Sequence, residues 1–239
     1  MIHHFYRSKS DIENLSRLKT LPLDEEFFDY RGIVVNKPWG YEYLMFQNAA
    51  AAAWVLYLKH DHATSMHCHP NKKTSLIVLS GEVTCSTIEG WLHLKAGDSV
   101  IIDRGVFHTT RSLSKEGVLL IEVESPPNKK DLVRLKDAYG RENTGYEGVG
   151  SMSRDLSLYE YADFHVKRKK IRLGDALITL EDTRRVPTCS LVCLLQGTLM
   201  DKGGGVHVYT GETASITGSS RLTGSNDILY LALTYGKAR

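Results

Sequence analysis

His67-Cys68-His69, followed some forty residues later by His108, is the set of side chains in this 239-residue chain whose types and spacing could do chemistry. In an extended strand the side chains at i and i+2 share a face, so His67 and His69 point together and Cys68 points away. A third imidazole from a neighbouring strand completes a three-His site with open coordination positions. Metal-assisted chemistry with a divalent ion such as Zn, Fe, Mn or Ni requires that arrangement. Ten histidines make an isolated HxH pair common, so the weight rests on the order and spacing of all three. Lys72, Lys73, Arg104 and Arg111 flank the histidines in sequence and would crowd a barrel mouth, where fixed cations could hold a phosphate. Loop charges in water are the plainer account of each. Glu122 and Glu124 alternate with Leu119, Ile121 and Val123 and so face away from the apolar side of their strand, where one could serve as a general base. A solvent-facing strand surface explains the same alternation.

The elements that must position these groups are short and β-rich. From Ile33, runs of Val, Ile, Tyr and Thr punctuated by Gly predict an all-β sandwich or barrel. Strands are expected over Tyr41–Phe46, Trp54–Lys59, Thr74–Leu79, Glu82–Thr87, Trp91–Leu94, Ser99–Ile102 and Val118–Glu124. Residues 1–32 read as a helical appendage, with Ser10 or Asp11 as N-cap and Ile12, Leu15, Leu18 and Leu21 along one stripe. Ser125-Pro126-Pro127-Asn128 ends the first β region, residues 33–125. Residues 126–160 read as a connection with at most a short helix near Leu132–Ala138, of a length typical of lids or disordered segments. Residues 161–239 form a second β region that echoes the first: Leu76–Val83 resembles Leu191–Leu199, and Leu92–Ser99 resembles Val206–Thr213.

A net charge of +2 and a pI near 8.3 carry no nucleic-acid footprint. The most apolar run, Ala49–Leu58, is far short of the roughly 18 residues that cross a bilayer, and no signal-peptide core follows Met1. The basic run 167–170 reads as a solvated strand end. Cys68, Cys85, Cys189 and Cys193 fit neither a disulfide scaffold nor a zinc ribbon, so reduced thiols in a cytoplasmic protein are expected, with Cys189 and Cys193 on one buried strand face.

The order and spacing of the histidines resemble the two-part signature of the cupin superfamily. The first part is His67-x-His69, four residues, Thr74, six residues, Gly81; the second is Gly97, five residues, Asp103-x-Gly105, two residues, His108. The resemblance covers about residues 33–125. It implies a double-stranded β-helix, or jelly-roll, barrel with His67, His69 and His108 as ligands of a metal in its mouth. Two positions depart from the pattern. Thr74 stands where the family usually has a metal-binding glutamate, and Asp103 where it usually has proline. Loss of the glutamate leaves three neutral ligands for a divalent ion, and the fourth position falls to water, substrate or His62. The second region is similar to a degenerate cupin half, since its HxH positions fall near Thr183 and Arg185 and nothing resembling His108 follows Gly211. The whole then resembles a bicupin with one dead site; a β extension of separate ancestry is the alternative.

His69-Pro70-Asn71-Lys72 is similar to the metal-and-lysine segment of phosphomannose isomerases, and Lys37-Pro38-Trp39-Gly40-Tyr41-Glu42 resembles their opening strand. Ile121–Glu124 with Leu132–Leu135 resembles the region where those isomerases place a carboxylate and an arginine. These likenesses imply a cytoplasmic, homodimeric, metal-dependent enzyme of carbohydrate metabolism acting on a sugar phosphate or activated sugar. The implied reaction is aldose–ketose isomerisation of the mannose-6-phosphate isomerase type. Lys72, Glu122 and Arg134 would be catalytic and Lys73, Arg104 and Arg111 would bind substrate, with neither nucleic acid nor membrane as partner. A non-catalytic sugar-binding or regulatory cupin and a non-haem iron dioxygenase with a three-His site remain as alternatives.

Overall fold

Alternation along the strands decides the layering, because nearly every long strand is apolar on at least one face. A computed structural model describes residues 1–18, 28–142, 144–165, 170–216 and 222–236; Leu21 and residues 167–169 of the basic run lie outside them. The chain begins with β1 (Ile2–Phe5) and helix α1 (Lys9–Arg17). There follow β2 (Val34–Lys37), β3 (Gly40–Gln47), β4 (Ala52–Leu58), β5 (Met66–Cys68), β6 (Lys73–Ser80), β7 (Glu82–Thr87) and β8 (Trp91–Lys95). Next come β9 (Ser99–Ile102), β10 (His108–Ser112), β11 (Val118–Ser125), β12 (Val133–Lys136) and β13 (Met152–Ser153). These strands build an eight-stranded sheet, β1-β9-β6-β11-β4-β3-β2-β13, and a five-stranded sheet, β12-β5-β10-β7-β8.

The remaining strands are β14 (Lys170–Leu173), β15 (Ala176–Glu181), β16 (Cys189–Gln196), β17 (Thr198–Met200), β18 (Val206–Tyr209), β19 (Thr213–Ile216), β20 (Thr223–Gly224) and β21 (Leu229–Tyr235). They form a second unit with sheets β14-β15-β21-β16-β19 and β18-β17-β20. The fold is all-β with one short N-terminal α-helix among the described residues. No helix among them is long and apolar enough to cross a membrane.

Three apolar layers result. Leu44, Trp54, Leu56, Leu76, Val78, Val100 and Leu120 fill the inside of the first unit. The opposite faces of the same strands, with Tyr43, Val55, Ile77, Ile121 and Val123, pack on Ile171, Ile178, Leu191, Cys193 and Leu233 of the second unit. Val192, Leu194, Leu199, Val208 and Tyr230 fill the second unit's own interior. The two units thus stack sheet on sheet, and the eight-stranded sheet is buried on both sides.

The echo between the two β regions has a structural counterpart. Gly97 and Gly211 both take left-handed backbone, at φ 89° and 87°, where a side chain would be strained. Gly97 N–H donates to Val78 O at 3.1 Å and Gly211 N–H to Leu194 O at 2.8 Å. The Asp98 and Glu212 carboxylates each accept from the amide three residues earlier, Lys95 and Tyr209, at 3.1 Å.

Several local expectations are corrected. The helix N-cap is Ser8, whose hydroxyl accepts from Asp11 N while the Asp11 carboxylate accepts from Ser8 N, a capping box. Ile12 is exposed, and Leu15 and Leu18 are the described residues of the proposed stripe that pack inward. Residues 2–5 are a strand paired in parallel with β9 rather than part of a helical appendage. The expected helix near Leu132–Ala138 is strand β12, because pairing with β5 supplies its backbone hydrogen bonds. Cys189 and Cys193 do not share a face: a bulge in β16 puts Cys189 in the second unit's interior and Cys193 at the junction. All four cysteines are free and buried.

Ile121→Ala tests the double burial of β11. A side chain packed against the second unit is expected to lose about 2–5 kcal/mol of stability in urea denaturation. A loss near zero would mean that this face of the sheet is in water.

Candidate metal centre

β5 and β10 are antiparallel neighbours whose register sets His67 opposite His108. His69 follows β5 by one residue and shares the face of His67, while Cys68 turns outward and packs with Phe107 and Val133. The ring centroids are 4.5 Å apart for His67 and His108, 4.9 Å for His67 and His69, and 5.4 Å for His69 and His108. One nitrogen of each lies within 4.8 Å of the others, and all three residues are buried. No second such group occurs among the described residues.

Each Nδ1 meets a backbone carbonyl: His67 that of Ser65 at 2.8 Å, His69 that of Asp131 at 2.6 Å, His108 that of Val106 at 3.0 Å. A carbonyl only accepts, so each Nδ1 carries the proton and each Nε2 keeps its lone pair. His69 Nε2 is buried without any hydrogen-bond partner. Burial, with repulsion from the other imidazoles, holds His67 well below the ordinary histidine range and His108 down to about 4. Both are therefore neutral near pH 7 and able to ligate. Three buried imidazoles with converging lone pairs fit a divalent transition metal.

The opposite wall comes from the eight-stranded sheet. Glu122 and Glu124 do face away from the apolar residues of β11, but that apolar side is the junction with the second unit, so the carboxylates turn inward. They are 8% and 1% exposed, which excludes a solvent-facing surface. Glu122 Oε1 lies 3.6 Å from His69 Nε2. Glu124 holds the Lys72 ammonium and accepts from Trp54 Nε1 at 3.2 Å, and Lys72 Nζ also donates to Asn128 O at 3.0 Å.

Beside the histidines lies a cavity of about 60 Å³ whose walls are charged. Lys37 binds Glu42 at 3.1 Å and also Glu147; Lys129 binds Glu42 at 3.2 Å. Tyr146 donates its hydroxyl to Glu42, and Lys129 sits 3.9 Å from the Trp54 ring centre. Arg141 joins Glu147 at 2.6 Å to Asp137 at 2.8 Å. Burial lowers Lys37, whereas at Lys129 the carboxylates of Glu42, Glu122 and Glu124 outweigh burial and raise it. Lys129 is thus the firm cation of the cluster. The Lys37–Glu42 run reaches this wall through a turn only glycine permits, since a Cβ on Gly40 would meet Tyr57 O at 1.9 Å.

Of the residues the sequence singles out, His67, His69, Lys72, Glu122 and Arg134 line this cavity, and His108 joins the histidine group. Arg134 is engaged elsewhere, its Nη1 donating to Thr144 O at 2.5 Å and Gly145 O at 2.8 Å. Lys73, Arg104 and Arg111 are not among the lining residues. Lys73 binds Glu212 of the second unit at 2.6 Å, Arg104 is exposed, and Arg111 is exposed beside Asp61. Strand alternation explains two of these: Lys73 is one residue from Lys72 and Arg111 three from His108, both odd offsets. His62 bonds the His60 carbonyl and is outside the histidine group. Thr74 is buried with its hydroxyl unpartnered. Sequence reasoning missed Lys129, Arg141, Tyr146 and Glu147, which line the cavity.

Burial opposes ionisation of Glu42, but Lys129, Lys37 and the Tyr146 hydroxyl outweigh it and bring the carboxyl from 4.5 down to about 2. The unfolded chain then takes up a proton first as pH falls, so this contribution is full above pH 4.5 and is lost between 4.5 and 2. It amounts to about 3 kcal/mol. Glu42→Gln is expected to be less stable than wild type by about 3–5 kcal/mol at neutral pH, because two buried lysines lose their partner. In urea titrations that gap should narrow as pH drops through the window; a constant gap would contradict an ionised Glu42.

Comparison with known proteins gives the same domain. Residues 53–124 match the cupin domain family. No curated protein matches the sequence. Among solved structures, the chain is similar to an uncharacterised conserved protein with a double-stranded β-helix domain from Klebsiella pneumoniae, at 19% identity, 49% of this chain, 96% of that one and TM-score 0.37. KdgF from Halomonas sp. is similar at 14% identity, 46% of this chain, 94% of that one and TM-score 0.35. A protein from Acidithiobacillus ferrooxidans, named only provisionally as a sugar phosphate isomerase, is similar at 17% identity, 32% of this chain, 50% of that one and TM-score 0.30. The matched segment contains all three histidines and Glu122, and the barrel that holds them has the cupin fold.

Proposed function

We propose that this chain is a metal-dependent cupin enzyme acting on a sugar phosphate or activated sugar, as an aldose–ketose isomerase of the mannose-6-phosphate isomerase type. The observation that carries the reading is a cavity where a group of three buried imidazoles, two of them in its lining, meets walls of acid and base side chains. An apolar substrate would strand those groups without partners, whereas a hydroxylated one can exchange hydrogen bonds with them. Around the cavity the cations Lys37, Lys72, Lys129, Arg134 and Arg141 are matched by Glu42, Glu122, Glu124, Asp137 and Glu147, five against five. The protein groups are thus neutral together, and a divalent ion leaves a positive excess that a phosphate ester, with about −2 charge, offsets.

A bound metal ion would supply polarisation of adjacent carbonyl and hydroxyl oxygens. Proton transfer between neighbouring carbons needs an acceptor and a donor at the same substrate. Lys72, fixed by Glu124 and the Asn128 carbonyl, presents a donor to the cavity, and Glu42, Glu122 and Glu147 line it as carboxylates. The cavity, at about 60 Å³, is smaller than a sugar phosphate, so binding would require its wall to open. Arg134, through the carbonyls of Thr144 and Gly145, positions that segment rather than touching substrate. The second unit, which we read as a degenerate cupin half, keeps β11 turned so that its carboxylates face the site.

The grouping of three neutral imidazoles also favours a second reading, a non-haem iron dioxygenase. Exchange in heavy water separates the two. With manganese or zinc loaded, the protein is expected to place deuterium on a carbon of mannose 6-phosphate or another aldose phosphate, and Lys72→Gln to slow this by about 100-fold or more. Oxygen uptake with ferrous iron and no exchange on any sugar phosphate would replace the isomerase with the dioxygenase. Absence of both would leave a sugar-binding protein.

A further inference from the structure

We propose that Glu122 is the fourth protein ligand of the metal, a carboxylate delivered from β11 to a site whose β6 position, Thr74, carries none. The proposal rests on the three-histidine metal site and is independent of isomerisation. Two atoms bound to one tetrahedral ion at about 2.1 Å each lie roughly 3.4 Å apart. Glu122 Oε1 and His69 Nε2 are 3.6 Å apart, too far for a good hydrogen bond and close to that ligand-to-ligand spacing; the carboxylate stands just outside the 4.8 Å group of the three histidines, so it would turn toward His67 and His108 on binding. Both ends are otherwise unsatisfied. His69 Nε2 is buried with no partner, and since Nδ1 donates to Asp131 O, Nε2 has no proton to offer a carboxylate.

Glu122 is equally isolated. Glu42, Glu124, Asp137 and Glu147 each bind a Lys or Arg within the cluster. Among the described residues Glu122 makes no direct ion pair with a Lys or Arg; His69 is its one partner within 4 Å, and Lys129 and Lys72 act on it from farther away. Across the ladder its neighbours are Leu76 on β6 and Trp54 on β4, which offer the carboxylate nothing. A buried carboxylate with no direct cationic partner is costly, and a cation shared with His69 would give it one. Geometry favours Glu122 over Thr74 as well: the Thr74 hydroxyl is buried without a partner, its cross-strand neighbours are Glu124 and Ile102, and a neutral hydroxyl is a poor ligand.

Zinc affinity by chelator competition and the visible spectrum of the cobalt(II) form test this on the full chain. Wild type, Glu122→Gln, Thr74→Val and the double variant His67→Ala with His108→Ala are compared. Glu122→Gln is expected to weaken zinc by at least about tenfold and to shift the cobalt bands. Thr74→Val should bind zinc as wild type does. Zinc affinity within about twofold of wild type and an unchanged cobalt spectrum in Glu122→Gln would overturn the assignment, as would loss on Thr74→Val alone. Should Glu122→Gln fail to fold, the zinc-minus-apo infrared difference spectrum of wild type labelled with carbon-13 glutamate decides: a shifted carboxylate stretch supports ligation and its absence refutes it. Undiminished binding by the histidine double variant is a separate failure, that of the three-histidine site itself.

Discussion

Burial of β11 on both faces is the constraint from which the rest of the site follows. Leu119, Ile121 and Val123 belong to the layer between the two units, so the pleat turns Glu122 and Glu124 into the barrel. Carboxylates placed there cannot be solvated and must be answered by protein groups or an ion. Glu124 is answered by Lys72 and the Trp54 indole. Glu122 faces the histidines instead. The second β unit, which contributes no ligand group among the described residues, therefore acts on the chemistry at a distance: by covering one side of a strand it decides what the other side must carry.

The imidazoles are held by backbone rather than by side chains. Three carbonyls, from Ser65, Val106 and Asp131, choose the same tautomer for all three rings. Two of them come from the residues just before the strands that carry His67 and His108, so tautomer and strand register are set together. Asp131 belongs to the segment after β11, and its carboxylate also accepts from the amides of Asn71 and Lys72. Helix α1 reaches the same structure from outside, where Asp11 accepts from Phe107 N at 2.9 Å and so braces the turn before His108. A capping residue thus doubles as a support of the histidine group.

Much of this was legible in the sequence, and the parts that were not share a cause. The histidine spacing, the glycine turns and the long apolar strands carry strong local signals, and the strands the sequence predicts lie close to β3, β4, β6–β9 and β11. β5, β10 and β12 are three to five residues long, too short for a periodicity, and exist through pairing with one another. The helical look of Leu132–Ala138 yields to that pairing. Proximity to the histidines in sequence does not bring Lys73 and Arg111 to the cavity, because odd offsets along a strand send them to other faces. Of the other charges that line the cavity, Lys37 ends β2, and Lys129, Arg141 and Glu147 come from the connection after β11, where only the tertiary fold brings them together. Both carboxylates of β11 were seen to share a face, but the sequence has no signal for a second unit covering the other.

The central claim is that His67, His69 and His108 hold a metal ion, and metal content tests it most directly. Mass spectrometric metal analysis of untagged wild type should find about one equivalent of a divalent transition metal per chain, absent from the His67→Ala, His108→Ala double variant. Wild type that stays metal-free after incubation with zinc, iron and manganese, or a double variant that retains the same equivalent, would contradict the account.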